Sequence, residues 1–150
     1  MVNWKIYLFI VLIIILDLLT KFYFQFKNFT IIPKLLLIKY SENPGLIFGL
    51  FSGNNFFVYI LPIIVIGLLV YLFIKETGKI KLFIGFIIVG LIGNLISRII
   101  YGYVIDFIFV PIYPEYNISL FNFADFFVVL GVVLVLIYSL KRKNKREINV

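Results

Sequence analysis

The chain has no cysteine and no histidine. The first absence excludes disulfides, thiol nucleophiles and thiolate metal sites. The second removes the commonest general base and the commonest zinc ligand. Acids are scarce as well: Asp17, Glu42, Glu76, Asp106, Glu115, Asp125 and Glu147 are all there are. From such a set no metal and no cofactor are expected. Any hydrolytic chemistry falls to carboxylates, lysine, serine or threonine. What fills the sequence instead is apolar: 63% of the 150 residues are hydrophobic, and the mean hydropathy is +1.14. A soluble domain of this size cannot hide so much apolar surface, so the bilayer is its solvent. The length suits one domain, 1–150, and no internal repeat stands out.

Four segments approach the ~20 apolar residues that a membrane helix needs. They are 6–26, 56–74, 82–100 and 121–140. Lysine and arginine gather in "KETGKIK" (75–81) and "KRKNKRE" (141–147), with Lys5 near the start. The longer connections, 27–55 and 101–120, hold only Lys27, Lys34 and Lys39. The positive-inside rule then puts both termini and the 75–81 turn in the cytoplasm, and the longer connections outside. The net charge of +7 is read this way as topology and lipid contact, not nucleic-acid binding. After the first span comes "DLLTKFYF", with no small-residue cleavage site, so an uncleaved anchor is expected.

The outer connections are more than loops. "LLLIKY" (35–40) and "LIFGLF" (46–51) flank "SENPG", which reads as a turn between strands. "YVIDFIFVPIY" (103–113) is β-branched and aromatic, hence strand-like. The expected fold is an all-α membrane protein: four transmembrane helices with a small extracytoplasmic β-sheet.

Polar residues inside the spans collect at one end. Counting ~1.5 Å per residue puts Asp17 roughly 16 Å above Ile6, past the midplane. Asp17 and Lys21 are four apart and share a face, as do Asn94 and Arg98; Asn122 and Asp125 are three apart. Asp106 follows Gly102, a helix stop. The outer half thus gathers Asp17, Thr20, Lys21, Asn94, Arg98, Asp106, Asn122 and Asp125. Asp17 with Lys21 reads equally well as an ion pair that fixes helix packing. Arg98 does not deprotonate, so it snorkels, holds a lipid phosphate or orders a carboxylate. Asn43-Pro44-Gly45 on its own is a turn, and Asn122 a helix-entry residue. The four glutamates read as surface charges.

Asp106 and Asp125 are harder to set aside. A carboxylate within a span costs about 2.5–3.5 kcal/mol. The two lie 19 residues apart, on either side of a connection that must return to the fourth span. Two adjacent carboxylates share a proton, so that one serves as base and the other as acid. That is the equipment of an aspartyl peptidase. Three other readings stand beside it. A small transporter needs polar groups along the whole path, and here they sit on one side. A scaffold uses its carboxylates only to join helices. A serine–lysine peptidase depends on Lys21.

"DLLTK", "NPGLIFG", "GNLISR", "VIDF" and "FNFAD", in that order, resemble the blocks of the lipoprotein signal peptidase (signal peptidase II) family. Each block is weak alone; together they span Asp17 to Asp125 and are specific. The resemblance implies a four-helix aspartyl endopeptidase of the bacterial inner membrane, and a monomer is expected. Its substrates are prolipoproteins, cut before a diacylglyceryl-modified cysteine. It implies Asp106 and Asp125 as the catalytic pair, with Asp17, Lys21, Asn43, Gly45, Asn94, Arg98 and Asn122 in supporting or substrate-binding roles. Membrane lipid is the other partner. Two departures stand out. Ser97 occupies the usual aspartate position of G-N-x-x-D-R. Pro44, Leu46 and Ile47 are bulkier than the family's usual residues, which reshapes the expected substrate groove.

Overall fold

The computed structural model describes residues 4–46, 49–111 and 120–148, except for the side chains of 143–148. Among these residues, four helices are long and apolar enough to cross a membrane. They are α1 (Trp4–Phe24), α2 (Leu61–Lys75, entered through a turn of π-helix, Phe56–Ile60), α3 (Lys79–Tyr101) and α4 (Phe123–Ile148). Four strands form one antiparallel sheet in the order β1 (Asn28–Ile32), β2 (Leu36–Asn43), β3 (Val104–Phe109) and β4 (Leu120–Phe121).

Helix α1 carries the charged Asp17 and Lys21 inside, whereas α2 and α3 pack an apolar cluster of Phe73, Ile84 and Ile88. On α1 the buried residues are Ile13, Asp17 and Lys21, one stripe at a spacing of four. Asp17 and Lys21 are 1% exposed, whereas Leu19 is 60% and Phe22 70% exposed. Polar groups face neighbouring helices and apolar ones face outward, the arrangement that hydrocarbon favours. Helices α1 and α3 approach closely at Gly93. A Cβ there would stand 2.6 Å from Asp17 Oδ2. Small residues allow such contacts in membranes.

The ends of the spans shift from their expected positions for local reasons. Helix α1 stops at Phe24 because the chain reverses through Phe26 at φ 63°. Helix α4 starts at Phe123 because the two residues of β4 precede it. Gly102 ends α3 as expected, in the left-handed conformation, its N–H bonded to Arg98 O at 2.8 Å.

The sheet was foreseen only in part. Segment 35–40 falls almost wholly within β2, but its hairpin partner is the upstream β1, not 46–51. Leu46 and 49–51 form turns instead: Leu46 N–H bonds to Leu50 O at 2.8 Å, and Gly49 and Phe51 have positive φ. Backbone of that hand cannot continue a strand. The expected strand 103–113 is realised over Val104–Phe109. Its residues 112–113, together with Ile47, Glu115 and the Glu147 side chain, lie outside the described residues.

Strand β3 carries the sheet's core. Ile105 and Phe107 are fully buried beside Ile38, and the Phe107 ring stacks on Phe24 at 4.8 Å. Side chains alternate along a strand, so Asp106 points to the opposite face. The β2–β3 register slips by one residue between Ile38 and Ser41. Beyond this bulge Asp106 pairs with Ser41, which puts Asn43 on its own side of the sheet. Without the extra residue, every β2 side chain past it would face the other way.

Candidate active site

The site lies where the ends of α1, α3 and α4 meet β3 and the loop after β2. Its centre is the first turn of α4. Asn122 precedes that helix, and its side-chain oxygen accepts from the Asp125 N–H at 3.0 Å. Asp125 Oδ2 in return accepts from the Asn122 N–H at 3.1 Å. This reciprocal capping box satisfies two N–H groups that a helix start leaves free. A third partner comes from outside the helix: Asp17 Oδ1 accepts from the Ala124 N–H at 2.9 Å. Negative charge is favoured there by the helix dipole.

Asn122 also reaches the sheet. Its Nδ2 donates to Asp106 Oδ1 at 2.6 Å. Asp106 and Asp125 therefore share one asparagine as neighbour, which is the meeting that the sequence predicts. Asn43 Nδ2 donates to the other Asp106 oxygen at 3.2 Å. Asp106 is 4% exposed. Burial, and then the nearby Asp125 charge, push its carboxyl up to about 7, against the smaller opposing effect of the asparagine hydrogen bonds.

Behind Asp125 runs a polar chain. Lys21 Nζ donates to Asp17 Oδ2 at 2.7 Å and to Asn94 Oδ1 at 2.9 Å. Asn94 Nδ2 then donates to Asp125 Oδ1 at 2.7 Å. The ammonium thus fixes which end of the Asn94 amide faces the carboxylate. The pairing of Asp17 with Lys21 is as expected.

Arg98 bonds no carboxylate among the described residues. Its Nη2 donates to Gly45 O at 2.6 Å and its Nη1 to Asn94 O at 3.4 Å, neither of them a carboxylate. Its work here is to hold the loop after β2. Asn43 holds the same loop, accepting from the Gly45 N–H at 3.1 Å and donating to Leu46 O at 3.0 Å. Gly45 admits no side chain, because a Cβ would overlap the Gly49 and Leu50 backbone.

Thr20 does not join the group. Its hydroxyl donates back to its own helix, to Leu16 O at 2.8 Å and Asp17 O at 2.9 Å. Lys21 has no serine or threonine partner among the described residues, which removes the support for a serine–lysine pair. No group of three or more potential ligands is placed to hold a metal ion among those residues.

Ser97 does more than its sequence position suggests. It is fully buried, and its hydroxyl donates to Tyr103 O at 3.1 Å and accepts from the Ile105 N–H at 3.4 Å. It clamps the entry of β3 to α3, one residue before Asp106. The usual aspartate, when ionised, accepts but cannot donate. A serine within an apolar helix beside Arg98 was the available signal. The backbone role of Ala124 left none, since any residue has that N–H.

Known proteins resemble this chain over nearly its whole length. The profile of a family described as signal peptidase (SPase) II matches residues 9–141. A lipoprotein signal peptidase of Clostridium tetani (strain Massachusetts / E88) is 40% identical over 147 residues, 92% of this chain and 94% of that protein. One of Staphylococcus carnosus (strain TM300) is 40% identical over 123 residues, 79% and 77% of the two chains. A bacterial membrane enzyme structure obtained by the in meso method at 2.3 Å superposes with a TM-score of 0.87 at 32% identity. That alignment covers 96% of this chain and 92% of the other. With fold, length and sequence agreeing to this extent, the chain belongs to the signal peptidase II family.

Proposed function

We propose that Asp106 and Asp125 are the catalytic pair of an aspartyl endopeptidase, held in one membrane domain. The enzyme removes the signal peptide of diacylglyceryl-modified prolipoproteins, cutting before the lipidated cysteine. The observation that carries this is the single asparagine, Asn122, bonded to both carboxylates. The enzyme acts as a monomer in the bacterial cytoplasmic membrane. Both termini are cytoplasmic and the sheet is outside, as the lysine and arginine distribution favours. The substrate's lipid and scissile bond then lie at the depth of the carboxylate pair.

The pair shares one proton: burial and the neighbouring Asp125 charge push the Asp106 carboxyl up to about 7. Both oxygens of each carboxylate accept from an N–H, and in the proposed assignment Asp125 is the base and Asp106 the acid. Asp125 takes a proton from water as the water attacks the scissile carbonyl. Asp106 donates its hydrogen bond to the carbonyl oxygen, where negative charge develops. When the C–N bond breaks, the departing amine receives a proton and one proton again remains on the pair.

Two variants test the supporting shell. Asn43→Ala removes a hydrogen bond that favours the charged form of Asp106. The active pair needs one proton, so activity falls as pH rises through the Asp106 pKa near 7. In Asn43→Ala that decline moves to higher pH. Measuring kcat/KM against pH decides it, and a shift to lower pH refutes the assignment. Ser97→Ala unclamps β3 and leaves a buried N–H and carbonyl unpaired, at a cost of about 1–3 kcal/mol. Cleavage is expected to slow roughly 10–100-fold through misplacement of Asp106, with KM nearly unchanged. Ser97→Thr, which keeps the hydroxyl, restores most of it.

Cleavage of a diacylglyceryl-modified prolipoprotein peptide by the purified protein in detergent tests the whole reading. Intact peptide after incubation with folded protein overturns it.

A further inference from the structure

Strand β1 differs from the rest of the sheet. All five of its residues are exposed. Successive side chains on a strand point to opposite faces, so a strand packed on a core buries every second one. β1 buries none, although Phe29, Ile31 and Ile32 are apolar and 47%, 50% and 45% exposed. Leu35, in the turn to β2, is 56% exposed. An apolar edge of this kind needs a cover.

Charge and continuity say what covers it. Between Phe22 and Lys39 the sequence has three lysines, Lys27, Lys34 and Lys39, and no acid. Lys34 and Lys39 are exposed, with Lys34 at the hairpin turn at φ 62°. Lys27 is partly exposed, its Nζ 3.2 Å from the centroid of the Tyr23 ring. The patch joins the end of α1 through Phe24, whose ring centroid lies 6.3 Å from that of Phe29, and on the same helix Leu19 and Phe22 are exposed. Substrate is a poor fit as the occupant. Strand β2 separates β1 from Asp106 on β3, a distance of roughly two strand spacings, about 10 Å.

We infer that the β1–β2 hairpin lies in the headgroup layer of the adjoining leaflet, with Phe29, Ile31 and Leu35 at the acyl boundary and Lys27, Lys34 and Lys39 on the phosphates of anionic phospholipid. Aliphatic and aromatic groups at that depth with flanking lysines are the usual signature of an interfacial anchor. The inference rests on the proposed function only for which leaflet this is.

The test uses the full chain in vesicles. Trp4 is the single tryptophan, so Trp4→Phe with Phe29→Trp puts one fluorophore on β1. Vesicles contain phosphatidylcholine and phosphatidylglycerol in equal amounts, with one or the other brominated near the carbonyl end of its chains. Brominated phosphatidylglycerol is expected to quench the β1 tryptophan at least twofold more than brominated phosphatidylcholine. Adding Lys27→Gln, Lys34→Gln and Lys39→Gln should make the two equal. Lys34→Gln alone, at the turn, should reduce the preference if the triple variant fails to fold. Three results overturn the inference: no quenching by either lipid, equal quenching with the lysines in place, or a preference that survives their removal. Cleavage is measured on the same vesicles. Loss of cleavage with the quenching pattern intact counts against the peptidase reading and leaves this one standing.

Discussion

Asp106→Asn and Asp125→Asn should each lower kcat by roughly 10³-fold or more, the range of a positioned acid or base. Neither should unfold the protein. An asparagine at 106 is close in shape and has its own oxygen to accept from Asn122 or Asn43. An asparagine at 125 can still cap the Asn122 N–H with its oxygen, and the backbone N–H of residue 125 still donates to Asn122, so both bonds of the capping box are kept. The two losses should not add. With either carboxylate gone no proton can be shared, and the double variant should be about as slow as each single one. Single-turnover cleavage of the lipidated peptide measures this. Retained turnover in either variant removes the pair from the mechanism.

Lys21→Met should destabilise the protein by about 3–5 kcal/mol, the usual cost of leaving one buried charge without its partner. Lys21 and Asp17 are each 1% exposed and 2.7 Å apart, so little water reaches Asp17 once the ammonium is gone. Adding Asp17→Asn should recover much of that stability. The new amide oxygen can still accept from Ala124, and no lone charge remains. Activity should not recover with it. Asn94 would have lost the group that orients its amide, and Asp125 the certainty of an N–H donor. Thermal unfolding in detergent and cleavage rate, measured on the wild type, both single variants and the double variant, separate the two effects. Parallel recovery of both would make Lys21 a packing residue only.

Much of this architecture can be read from the sequence because lipid imposes simple rules. Long apolar runs locate the spans, and charged residues within them must find one another. Asp17 with Lys21 needs only helix periodicity. The link between Asp106 and Asp125 needs only a chain that leaves α3 and returns as α4. Other features depend on partners remote in sequence. Arg98 and Gly45 are 53 residues apart, and nothing local selects a loop carbonyl over a carboxylate. The segment 46–51 has strand composition, yet positive φ at Gly49 and Phe51 folds it into turns. β1 escapes notice because its alternation has no buried face to mark it. The bulge in β2 is invisible for a related reason: an extra residue changes which way Asn43 points without changing its identity.

Asn122 touches the start of α4 and Asp106 together. Until α4 has begun its first turn against α3 and β3, the Asn122 link between the two aspartates is not formed. On the proposed assignment, a nascent chain with only three helices in the bilayer holds Asp106 but not yet the Asp125 that faces it, and is expected to cut nothing. With that pair, the order of assembly would itself act as a safety catch, since competence would wait for the last insertion.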